Sequence, residues 1–254
     1  MKLLRKFGLT ISAALFWLLL WQLASLAVGN PLILPSPPET LIRLAELSAE
    51  TDFWKTVGSS LLRVVVGIAA AIPFSALFAW LCSSTKIADA LFSPAVTLMK
   101  SVPVVSFILI AIFLFDRSVI PSAIAFMMVF PVLYGNIREG IASVPRELLQ
   151  MARVFRLSFL LKLKRIYAPA IAPYFFAAVT ASVGLALKAG IAAEVIAYIP
   201  TSIGKKLSDA KSYMEPADLL AWTAAILIIG LLLEYLLRIT LKRTQRRRTN
   251  GKAD

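Results

Sequence analysis

Six stretches of this chain are nearly free of charge and long enough to cross a bilayer core as helix, which takes about 20 apolar residues. They are 7–28, 64–85, 90–115, 119–137, 166–187 and 216–237. Hydrophobic residues make up 59% of the 254-residue sequence and charged residues 16%. A soluble domain holds about 45–50% of the first and about a quarter of the second. A core of this size cannot enclose so much apolar surface, so the chain is expected to be an all-α integral membrane protein with six transmembrane helices.

The runs differ in regularity. The first is longer than a secretory leader and is followed by the extended, proline-bearing segment 30–38, so it is expected to stay as a span. Pro73 lies inside the second run and Pro131 inside the fourth, where packed neighbours tolerate a proline. The third reaches full length only by including Lys100. Between the first two, residues 38–55 alternate leucines with Glu39, Arg43, Glu46 and Glu50, the pattern of a helix lying on the outer surface.

Lysine and arginine set the orientation. With the N-terminus inside, 18 of the 27 basic residues fall in inner segments, 6 in outer segments, and Arg63, Lys100 and Lys188 at membrane depth. Both termini are therefore expected in the cytoplasm. The chain divides into a first span with its surface segment (1–56), a core of five spans (57–240) and a basic tail (241–254). The formal net charge of +13 is mostly this orientation signal.

Composition also removes chemistries. Without histidine there is no Ser-His or Cys-His nucleophile pair and no His-ligated metal. Cys82 stands alone, so no intrachain disulfide forms. No GxxxxGK[ST] segment occurs, which excludes nucleotide binding in the P-loop manner.

The longest inner loop, 138–165, carries the most information. Ser143, Pro145 and Glu147 read as a helix start, with Leu148, Met151, Ala152 and Phe155 along one face. A second start follows at Ser158, so two short helices joined near Arg156-Leu157-Ser158 are expected. Two readings fit this pattern: basic amphipathic helices on the inner leaflet, or a docking element whose leucine, methionine and phenylalanine enter a partner's groove.

Gln150-Met151-Ala152, three residues, Arg156, nine residues, Ile166, and Pro169 have the spacing of the "EAA" loop of binding-protein-dependent ABC importer permeases. In that pattern Glu-Ala-Ala is followed after three residues by Gly, and nine residues later by Ile, any residue and Leu-Pro. Ala152, Ile166 and Pro169 match; Gln150, Met151, Arg156 and Ala168 replace Glu, Ala, Gly and Leu. Segments in the same order elsewhere resemble the nitrate/sulfonate/taurine-type permeases: Leu34-Pro35-Ser36-Pro37, Ser60-Leu61-Leu62-Arg63, Lys100-Ser101-Val102-Pro103, Gly190 through Ile196, Ser202-Ile203-Gly204 and Ala217 through Trp222.

The resemblance implies a type I ABC importer permease fold in a bacterial cell membrane. It implies two copies forming the path, two ATPase subunits holding ATP and Mg, an external solute-binding protein, and no cofactor on this chain. Leu148, Gln150, Met151, Ala152, Phe155, Arg156, Leu157, Ser158, Ile166 and Pro169 are then the ATPase-coupling residues. The family glycine permits a tight turn that Arg156 enters less cheaply, so either this turn or the partner's surface is expected to differ.

Ionisable groups at membrane depth are functional candidates. Lys100, with Ser101 and Pro103 at a helix break, either lines the path or snorkels to an interface. Lys188 and Glu194 either pair within the bundle or touch solute. Path-lining lysines favour a small anion or polar organic solute such as a sulfonate, nitrate or vitamin precursor. Glu234 and Arg238 read as an i,i+4 pair, Cys82 as a packing residue, and the run 242–248 as an inner-leaflet anchor rather than a nucleic-acid site. The alternative classes are a stand-alone secondary transporter, which needs paired broken helices in two halves, and an intramembrane enzyme, which lacks its histidines and clustered carboxylates here.

Overall fold

A computed structural model describes the backbone of residues 2–250 and the side chains of residues 12–240. The side chains of 241–254, and those of Lys2, Arg5 and Lys6, lie outside the described residues. Among those described, the chain is helical without strands: α1 Lys2–Val28, α2 Pro37–Ala49, α3 Thr51–Ser84, α4 Lys86–Ser101, α5 Val104–Leu114, α6 Ile120–Ala142, α7 Arg146–Val154, α8 Phe159–Lys162 running into a π turn Leu163–Tyr167, α9 Ala168–Ala197, α10 Ile203–Ser212 and α11 Pro216–Asn250.

Three helices make the core. α6 packs along α3 on one side and α9 on the other, burying Ile124, Ala125, Val129 and Leu133 completely. Close approach is set by small residues. A Cβ on Gly67 of α3 would lie 2.4 Å from the Ser122 carbonyl oxygen of α6. At that end Ser122 Oγ also donates to the Arg63 carbonyl at 2.8 Å. The N-terminal ends of α3 and α6 thus meet the C-terminal end of α9, and α9 runs opposite to its two neighbours.

The apolar runs differ from the helices in three places. The amphipathic stretch is not one surface helix, because Glu50 is extended and divides it. α2 ends at Ala49, capped at its start by the Ser36–Glu39 box, and α3 begins at Thr51. α9 continues well past Leu187 to Ala197. The third run is not one straight helix: α4 and α5 meet at 108° across Val102-Pro103, where Pro103 has no N–H to continue the ladder and forces its predecessor extended. By length and apolarity four described helices are able to cross a membrane, or five with this bent pair as one span.

α1 lies outside the core, and α11 joins it through Ala221, Trp222 and Ala225 near its start. Leu19, Leu23 and Leu26 of α1 are exposed, and the helix is tied to the segment after it by Trp21 Nε1 to the Pro35 carbonyl and Ser25 Oγ to the Leu34 carbonyl, at 3.0 and 2.9 Å. α11 is fixed near its start, where Trp222 stacks on Phe53 of α3 at 4.9 Å and Asp218 accepts two hydrogen bonds from Arg43 of α2. Further along, Leu227, Leu231 and Tyr235 face outward. Such apolar exteriors are what lipid solvates and water does not.

Candidate functional site

The loop after α6 forms two short helices about Arg156-Leu157-Ser158, as expected, but α7 starts differently. Ser143 closes α6 and its hydroxyl donates to the Gly140 carbonyl; Pro145 precedes α7 without a side-chain cap. Ser158 does cap α8, its Oγ accepting from the Leu161 N–H at 3.4 Å. α7 is two-sided. Ala152 is fully buried against Val144 and Ile166, with Leu149 and Leu157 around them. Ala152 therefore seats the helix and does not share an outward face with Leu148, Met151 and Phe155, which stand 41%, 45% and 70% exposed. Gln150, Ser158 and Pro169 are exposed too.

Arg156 adopts φ +50°. The Leu157 N–H reaches the Ala152 carbonyl and the Arg156 N–H the Arg153 carbonyl, both at 3.0 Å. That is a Schellman turn with arginine at the left-handed position, where glycine is usual. The turn keeps the geometry a glycine gives and carries the strain.

Lys100, Ser101 and Pro103 gather at the α4–α5 break and are all exposed. Lys100 extends along α6: a Cβ on Gly135 would sit 3.6 Å from its Nζ. Among the described residues it makes no ion pair. Lys188 is exposed on α9, and Glu194 is not its partner. Glu194 is 1% exposed and accepts from Ser60 Oγ at 2.8 Å, Arg63 Nη1 at 3.1 Å and the Gly204 N–H at 3.2 Å. The Ile203 N–H donates to Ser60 Oγ at 2.9 Å. A Cβ on Gly204 would fall 2.4 Å from that of Glu194, so only glycine lets α10 lie this close. Glu194 is thus enclosed within the chain, tying α3, α9 and α10.

This node brings together three of the segments singled out in the sequence, Ser60–Arg63, Gly190–Ile196 and Ser202–Gly204, which sequence reading treated separately. A second cluster had no such signal. Arg138 of α6 donates to Asp89 and Ser93 of α4 and to the Tyr134 hydroxyl, at 2.5, 2.9 and 3.0 Å. It fastens the start of α4 to the end of α6 that leads into the loop. On α10, hydrogen bonds from Lys205 and then Tyr198 hold Asp209 below the usual carboxylate range, so both charges are in place at neutral pH. Glu234 and Arg238 pair at 2.5 Å, and Cys82 is buried. No group of metal-ligating side chains occurs among the described residues.

The chain is similar along most of its length to known permeases. It is 27% identical over 239 residues to the bicarbonate transport system permease protein CmpB of Synechococcus elongatus, covering 89% of this chain and 85% of that protein. A Bacillus subtilis permease protein named for aliphatic sulfonates transport, SsuC, is 23% identical over 235 residues, covering 91% and 84%. The crystal structure of a bacterial ABC transporter involved in import of the acidic polysaccharide alginate superposes with a TM-score of 0.64 at 16% identity, over 96% of this chain and 99% of that one. An amino acid ABC transporter gives 0.61 at 13% identity, over 82% and 96%. The model of the binding-protein-dependent transport system inner membrane component matches residues 64–250. This is a permease, a non-catalytic inner-membrane subunit, and it belongs to the family of binding-protein-dependent transport system inner membrane components.

Proposed function

We propose that this chain forms the translocation path of an ATP-driven importer and couples to its ATPase through the 138–165 loop. The observation that carries the coupling is α7: seated by Ala152 and Ile166, it turns Leu148, Met151, Val154 and Phe155 outward at the end of the bundle. An apolar stripe on a short, firmly seated helix suits a partner's groove. In this reading two copies enclose the path, two ATPase subunits carry ATP and Mg, and a solute-binding protein docks on the opposite face.

Six crossings fit the contacts between helix ends. α4 starts beside the loop end of α6, and α5 lies beside the start of α6, so the bent pair traverses the bundle. α2, α10 and the start of α11 share the face opposite the loop. Both termini then fall on the loop side, which the basic-residue bias makes cytoplasmic. ATP-driven closure of the ATPases draws the α7 helices together and rocks the two bundles, a rigid-body alternation of access. Lys100, Ser101 and Pro103 at the break, with Lys188, are the path residues. Their charge, with relatives named for bicarbonate and aliphatic sulfonates, supports a small anion or polar organic solute such as a sulfonate, nitrate or vitamin precursor.

The test uses the complex reconstituted with its co-expressed ATPase. Phe155→Asp is expected to lower ATPase retention on affinity-purified permease at least tenfold, with the permease still monodisperse. Retention equal to the parent protein sinks the coupling reading.

A further inference from the structure

The second half of the loop is built differently from α7. Phe159 of α8 and Leu163 of the π turn, one turn apart, line a half-open cavity of about 370 Å³ whose other walls include Leu77 and Trp80 of α3, Ile137 of α6 and Phe175 of α9. No lining side chain carries a charge or a hydroxyl. Water gains no partners in such a space. The Trp80 ring meets Phe159 and Tyr167 edge-on at 5.6 and 5.0 Å, an aromatic grouping suited to the membrane–water interface. Directly after α8 starts come Lys162, Lys164 and Arg165, and none has an ion-pair partner among the described residues.

We infer that this is a binding site for one anionic phospholipid, with an acyl chain in the cavity and its phosphate against Lys162, Lys164 and Arg165. The charge decides the occupant. The basic residues on either side of Leu163 in the chain attract an anionic headgroup. The loop then has two partners of different kind: α7 faces a protein and α8 with the π turn faces lipid. The lipid site goes beyond the coupling reading and needs no nucleotide, so loss of lipid preference and loss of ATPase binding are separate results.

Trp80 is the probe. A full-length variant with Trp17, Trp21, Trp54 and Trp222 changed to Phe, purified with its ATPase subunits, is reconstituted in phosphatidylcholine vesicles containing brominated phosphatidylglycerol or brominated phosphatidylcholine. Quenching of Trp80 is expected to give at least threefold tighter apparent binding of the anionic lipid. Lys162→Gln/Lys164→Gln/Arg165→Gln is expected to bring that ratio to about one, and Lys162→Arg/Lys164→Arg to preserve it. Ala76→Phe, which fills the cavity and keeps the charges, is expected to remove one retained phospholipid per chain in native mass spectrometry. Equal quenching by the two lipids, negligible quenching by either, or an unchanged lipid count in Ala76→Phe overturns the assignment.

Discussion

Arg156 shows how much a single backbone angle asks of a residue. At φ +50° an L side chain crowds its own carbonyl and costs about 1–2 kcal/mol, which glycine avoids while losing more freedom on folding. The Schellman hydrogen bonds to Ala152 and Arg153 hold the turn regardless. Arg156→Gly is therefore expected to stabilise the turn by about 1 kcal/mol, read as roughly fivefold slower amide exchange for residues 152–157 in the assembled complex. Unchanged or faster exchange means that the guanidinium contributes contacts which offset its strain. The spacing of the loop marked position 156 in the sequence, because a fixed interval from Ala152 survives substitution. The left-handed angle was not legible, since arginine has no preference that announces it.

Among the elements, helix contact distance is the controlling variable. Gly67 and Gly58 sit nine residues apart in α3 and make opposite predictions. A Cβ at Gly67 meets the α6 backbone, whereas one at Gly58 meets nothing within 4 Å. Gly67→Val is expected to cost about 1–3 kcal/mol or more through overpacking, and Gly58→Ala to gain about 0.5–1 kcal/mol from helix propensity. Thermal unfolding in one detergent, parent and variants side by side, checks the opposite signs. The runs of apolar residues located the helices well because hydrocarbon demands a closed backbone ladder. They misplaced ends, such as Ala197 and Thr51, because a helix extends beyond the apolar zone wherever buried hydrogen bonds such as those of Glu194 await it. The bend at Pro103 was visible as a break around Lys100, but its angle depends on packing against α6 and α9.

For the whole molecule, one ion pair joins residues 131 positions apart. Glu194 is enclosed while Arg63 retains 19% exposure, and both are further bonded to the 200–204 turn. Removing one member of a buried pair typically costs about 3–5 kcal/mol, while replacing both with apolar residues is often near neutral. Arg63→Met is accordingly expected to lower the melting temperature more than Arg63→Met/Glu194→Met does. An additive double variant shows that the two side chains act separately. Of the two readings open for Lys188 and Glu194, their pairing does not form for a simple reason: residues six apart on α9 lie on different faces, and Glu194 takes its partner from another helix.

The number of apolar runs, the basic residues that flank them, the absent histidines and the EAA-type spacing were in the sequence by themselves. Each is a local or additive property, and bilayer thickness and residue chemistry act on it without reference to other segments. Which side of α7 is buried, who neutralises Glu194, how sharply α4 turns into α5, and the apolar cavity under Phe159 were decided only by tertiary structure. These depend on distances between helices far apart in the chain, and packing alone sets those distances.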